Sequence, residues 1–138
     1  MYLTPERYRK IVNLPISLAE TELGRGRTMH AWRWTVVQGE KLELQSLSLH
    51  VVKILTPGVL PVYLNTALGA VSVGLYFGQT LTSPIAWASV ETVGSAMVNP
   101  FATCRIVTPG LYTVIVANNT ANTDVAVCAT GVLKLYAQ

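Results

Sequence analysis

The chain has 138 residues, of which 51% are hydrophobic and only 12% charged, with a formal net charge of +3. That length fits one domain with a core of its own, and ten lysines and arginines spread along it are too few for the dense basic stripe of a nucleic-acid binder. Isolated soluble domains carry about a quarter of their residues charged, yet from Ile54 onward the only charges here are Glu91, Arg105, Asp124 and Lys134, so much of the surface is expected to lie against copies of itself or a larger assembly.

The chain opens with Thr4-Pro5-Glu6, a capping hydroxyl, a proline suited to the first helical position and an acid in the first turn, which predicts a short helix from Pro5 to Val12. Glu6, Arg7, Arg9 and Lys10 stand where a signal peptide needs an apolar run, so secretion by that route is not expected. Pro15, Gly24 and Gly26 then break the pattern. Residues 1–28 read as an extended arm reaching a partner, with Arg7, Arg9, Lys10, Arg25 and Arg27 as its binding cations, and residues 29–138 as the folded domain.

From Ala31 the period becomes two: Trp32, Trp34 and Val36 alternate with Arg33, Thr35 and Val37, a half-buried strand with its tryptophans on the core side. Gln38-Gly39-Glu40 is a turn. Leu42 and Leu44 share one parity, and Leu47, Leu49 and Val51 the other, so a β-bulge is predicted near Gln45-Ser46. The stretch from Ile54 to Val90 is uncharged and long enough to span a membrane. Pro57, Gly58, Pro61, Gly69, Gly74, Gly78 and Pro84 interrupt it, and it reads as strands and turns, with no membrane partner. Further strands are expected over Val59–Leu64, Ala70–Phe77, Ile85–Val90, Ala102–Val107, Leu111–Ala117 and Val125–Tyr136. The run Asn118–Asp124 reads as a solvent-exposed hairpin tip. Short strands with frequent turns and no crossover helix mean an all-β fold, an antiparallel β-sandwich or jelly roll. Leu111–Ala117 and Val125–Tyr136 are apolar on both faces, and a neighbouring subunit is expected to cover the second.

Chemistry has little to build on. Cys104 with His30 or His50 supplies the residue types for a nucleophile and base but no family signature. The histidine and cysteine spacings match no zinc site, and no phosphate loop occurs. No catalytic residue, metal or cofactor is expected. Cys104 and Cys128 could pair only if adjacent strands brought their Cα atoms within about 7 Å; with no secretory signal, two buried free thiols are the simpler reading. Trp32, Trp34 and Trp87 offer an alternative, a stacking platform for carbohydrate.

Thr108-Pro109-Gly110-Leu111-Tyr112-Thr113-Val114-Ile115-Val116-Ala117-Asn118-Asn119, then a polar tip and a last strand ending Leu133-Lys134-Leu135-Tyr136, resembles small β-sandwich proteins of tailed bacteriophages, among them capsid decoration (cement) proteins. The resemblance covers about residues 30–136 and is one of style. It implies a homo-oligomer, often a trimer, on the capsid surface of the virion, clamping neighbouring major capsid proteins, with no catalytic residues.

Overall fold

A computed structural model describes residues 10–64, 67–82, 84–99 and 105–137. They form nine strands and no helix: β1 (Lys10–Leu23), β2 (Thr28–Val36), β3 (Glu40–Ile54), β4 (Val71–Phe77), β5 (Pro84–Val90), β6 (Gly94–Met97), β7 (Arg105–Ile106), β8 (Gly110–Asn118) and β9 (Val125–Ala137). One sheet runs β1-β9-β3-β6, with β7 also on β3; the other runs β2-β8-β4-β5. All pairings are antiparallel. Every connection except β4–β5 and β6–β7 crosses between the sheets, which is the winding of a jelly-roll sandwich.

The core is what the alternation demands. Leu42, Leu44, Leu47, Leu49 and Val51 of β3 and Val125, Val127, Leu133 and Leu135 of β9 face Val73 and Leu75 of β4 and Val114 and Val116 of β8, all buried. The bulge falls where the parity switch puts it, between Leu44 and Ser46. Across from it, a Cβ on Gly131 would sit 2.5 Å from the Ser46 carbonyl oxygen, so the strand can pass only because that residue has no side chain.

Several expectations change. Lys10, Ile11 and Val12 belong to β1 rather than to a helix; the rest of the Pro5–Val12 helix lies outside the described residues. Within the expected arm, Lys10–Leu23 is a strand of its own domain, paired along β9, with Ile16 and Leu23 in the core. Pro15 does not break it, because β1 ends the sheet and an edge strand tolerates a missing donor. Val59–Leu64 is not a strand; it makes one isolated bridge, Tyr63 to Thr120. Of Ala102–Val107, the described part yields only Arg105–Ile106, while Gly94–Met97 adds a strand that the sequence did not announce.

The second face of β8 needs no partner. Thr113, Ile115 and Ala117 are buried within the chain. Gly74 stands opposite Ile115, and the Tyr76 ring folds over Gly74, its Cε1 2.9 Å from where a Cβ would be. An aromatic side chain on one strand thus roofs small neighbours. The second face of β9 is more open, with Cys128, Val132 and Tyr136 half-buried. Lys41 is buried there, over the Tyr136 ring at 4.7 Å and 3.3 Å from Glu43.

Candidate interaction surface

At one end of the sandwich the polar run 118–124 meets the loop after β3. It is not an exposed tip: Asn118, Asn119, Thr120 and Thr123 are all buried. Buried polar groups are costly unless bonded, and here they are. Asn118 Nδ2 donates to the carbonyls of Leu23 (3.0 Å) and Thr123 (2.8 Å), while its Oδ1 accepts from the Thr120 amide (3.1 Å) and hydroxyl (2.6 Å). Asn119 Nδ2 donates to the Gly69 carbonyl.

This network grips the segment 60–64. Asn122 clamps it as a strand would, donating to the Leu60 carbonyl (2.7 Å) and accepting from the Val62 amide (2.8 Å). The Ala121 amide donates to the Val62 carbonyl, and the Leu64 amide to that of Asn119. The segment is held extended, and in an extended chain alternate side chains share a side. Leu60, Val62 and Leu64 are 84%, 56% and 64% exposed. Tyr63 turns its hydroxyl to Glu91 Oε2 at 2.6 Å, a bond that raises the phenol pKa. The result is a short apolar ridge on a hydrogen-bonded base.

Beside the ridge, Arg25 is tied to Asp124 through its side chain, Nη2 to Oδ2 at 2.9 Å, and through its backbone amide at 3.0 Å. The guanidinium hydrogen bond holds the Asp124 carboxyl down at about 2. Of the five cations expected on the arm, the three among the described residues are not gathered. Arg7 and Arg9 lie outside the described residues, Lys10 opens β1 at the far end of the sandwich, Arg27 is exposed near the ridge, and Arg25 pairs within its own chain.

The tryptophans are not gathered either. Trp32 and Trp34 pack on the core from β2, with the Trp34 indole N–H buried and without a hydrogen-bond partner among the described residues. Trp87 lies on β5, at the opposite edge of the same sheet, 40% exposed. On the outer face of the other sheet, His50 Nδ1 lies 2.6 Å from Ser95 Oγ, and Cys128 stands opposite His50 in register. Cys104 lies outside the described residues. Among the described residues no three His, Cys, Asp or Glu side chains gather as a metal site, and no helix is long and apolar enough to cross a membrane.

The ridge escaped the sequence reading because Leu60, Val62 and Leu64 looked like one face of an ordinary strand. The available signal was Pro61, which lacks the amide N–H that pairing with a second strand would need, and a polar run rich in asparagine lies close at hand in the fold.

No family model and no curated protein matches the chain. Among solved structures it is similar to a chain of Bacillus endospore appendages, described as a novel family of disulfide-linked pili, at 16% identity over 92% of this chain and 88% of that one, TM-score 0.47. It is similar to a chain of the Cyanophage Pam1 capsid asymmetric unit at 17% identity over 93% and 85%, TM-score 0.46. It is also similar to a chain of the infectious bursal disease virus Gx strain at 8% identity, covering 95% of this chain and 33% of that one, TM-score 0.48. At these scores the likenesses carry no argument about function.

Proposed function

We propose that this is a structural, non-enzymatic virion protein, a bacteriophage capsid decoration (cement) protein that oligomerises on the shell and bridges neighbouring major capsid proteins. The observation that carries the reading is the ridge: a buried polar network fixes Leu60, Val62 and Leu64 outward, three exposed apolar side chains on one short segment. An isolated domain gains nothing from ordering apolar side chains into water, whereas a docking protein gains a preorganised contact. A jelly roll with few surface charges suits close apposition to other subunits. A trimer is the oligomer we favour. The carbohydrate reading loses Trp32 and Trp34, which face the core, and leaves the exposed Trp87 alone at the opposite edge of the sheet.

The test is co-sedimentation of the full chain with undecorated shells of the virus that encodes it, alongside Leu60→Lys/Leu64→Lys. The native chain should pellet with the shells and the double variant should stay in the supernatant while keeping its β-sheet circular dichroism. Failure of the native chain to pellet, or equal binding of both, would sink the reading.

A further inference from the structure

The outer faces of the two sheets are finished differently. On the sheet of β2, β8, β4 and β5, the outward Tyr76, Thr113, Ile115 and Ala117 are buried within the chain. On the sheet of β1, β9, β3 and β6, the outward row of β9 runs through Cys128, Val132, Lys134 and Tyr136, all half-buried, and Thr130, which is exposed. A strand with apolar residues on both faces belongs between two layers, and the second face of β9 still reaches solvent.

The register shows what a covering layer meets there. At the centre Ser17, Thr130 and Ser48 lie side by side across β1, β9 and β3, with Val132 and Ser46 in the next row on one side and Cys128 on the other. Ser48 and Thr130 hydroxyls bond each other at 3.0 Å, which meets part of their polar demand within the chain. All these side chains are short, so a second sheet can approach to the usual spacing of about 10 Å.

Two rows from Thr130 in either direction the charges begin. Toward one end Lys134 stands between Asn13 and Glu43; toward the other Ala126 stands between Glu22 and Lys53. These two rows complement each other, because Ala126 is short and buried and leaves a gap beside an acid where a long cation can lie. Both are four residues from Thr130 on β9, a distance of about 13 Å along the strand. A two-fold axis crossing the strands at Thr130 therefore lays Lys134 over Ala126 of a second copy, beside its Glu22, and Lys53 over Glu43, so that neither row meets its own sign. The face runs about 27 Å from Ala126 to Lys134 and about 19 Å across four strands. That is roughly 500 Å² per copy, and about 1,000 Å² in all is what a specific interface requires.

We propose that two copies pair through the outer faces of their β1-β9-β3-β6 sheets about a two-fold axis at Thr130, with Lys134 of each copy set beside Glu22 of the other. This contact rests on the reading that the protein self-associates. It joins copies in pairs, is distinct from the ridge that meets the shell, and leaves the ring contact of a trimer to another surface. Exposed ion pairs contribute little each, so Lys134 and Glu22 fix the register, and the short side chains between them supply the contact.

Sedimentation equilibrium of the full chain tests it. At about 100 μM, a concentration that populates even a weak contact, the native mass should be an even number of chains. Thr130→Arg, which sets two cations against each other at the axis, should halve it. Lys134→Glu should weaken pairing about tenfold by placing like charges together, and Lys134→Glu/Glu22→Lys should recover most of the loss, a rescue that damage to the fold alone would not give. Leu60→Lys/Leu64→Lys should leave the pairing intact, so this contact and the ridge fail separately. A mass that Thr130→Arg leaves unchanged overturns the inference, and so does a charge swap without recovery in a folded protein. A native chain that stays monomeric overturns it together with self-association, while binding to shells through the ridge keeps its own test.

Discussion

Asn118 shows how much one side chain can hold. Its amide satisfies two carbonyls and its oxygen two donors from Thr120, all buried. Asn118→Ala should cost about 3 kcal/mol, because each stranded buried partner costs about 1–3 kcal/mol and relaxation recovers part of the sum. Urea denaturation monitored by tryptophan fluorescence measures it; a loss below about 1 kcal/mol would mean that water replaces the amide. Asp124 behaves differently, since it is exposed and its partner is a single arginine. Its folded pKa of about 2 lies below the ordinary aspartate value of 3.8, so the Arg25 contact contributes above the unfolded value and is lost as pH falls from about 4 through 2. An NMR titration of the Asp124 carboxyl should place its midpoint near the lower value, and Arg25→Ala should return it toward the ordinary one. At this scale the sequence misled: a run of Asn and Thr has the composition of a wet loop, and only the distant carbonyls of Leu23, Gly69 and Leu60 make it an interior network.

Elements were more legible where alternation was strong. The β3 bulge, the inward Trp32, Trp34 and Val36, and the last two strands follow from parity alone. The Pro-Gly turn before β8 is pinned by Tyr112, whose hydroxyl donates to the Thr108 carbonyl at 2.8 Å, which gives that motif a mechanical role. β1 was illegible because its inward set, Val12, Leu14, Ile16 and Leu18, is interleaved with a proline, and a central strand would not accept one; being at an edge is a property of the whole fold. Since β1 completes the core, deleting residues 1–28 should abolish cooperative folding, seen as loss of amide dispersion in NMR spectra. A folded remainder would return β1 to the role of a detachable arm. Gly131→Ala tests the strand crossing at the bulge. With Ser46 oxygen 2.5 Å and Leu47 Cα 3.2 Å from the new Cβ, both on backbone that cannot swing aside, it should destabilise by about 1–3 kcal/mol, whereas a neutral outcome would mean that the bulge migrates.

Across the described residues, charge and apolar surface are distributed so that the proposed association is expected to rest mainly on apolar contacts. The charges after Ile54 are few, Arg25 is occupied by Asp124, and Glu43 is shared between Lys41 and Arg105. Burial opposes ionisation of Glu43, but its bonds from Gln45 and Lys41 and the two nearby cations hold its pKa below the usual value, so it is committed to its own chain. Exposed apolar side chains instead mark both ends of the sandwich, with Leu60, Val62 and Leu64 at one and Val37, Phe77 and Val107 at the other. Ion pairs between exposed groups weaken as salt shortens the Debye length from about 10 Å at 0.1 M toward 3 Å at 1 M, while apolar contacts do not. Binding to the shell and between copies should therefore change less than about threefold between 0.05 and 0.5 M sodium chloride, and sulfate should strengthen it, because excluded salts favour burial of apolar surface. Co-sedimentation and light scattering across that range decide the matter. A tenfold loss of binding at the higher salt would show that Arg7, Arg9, Lys10 and Arg27 supply the affinity, and would move the contact from the apolar ends to the cations.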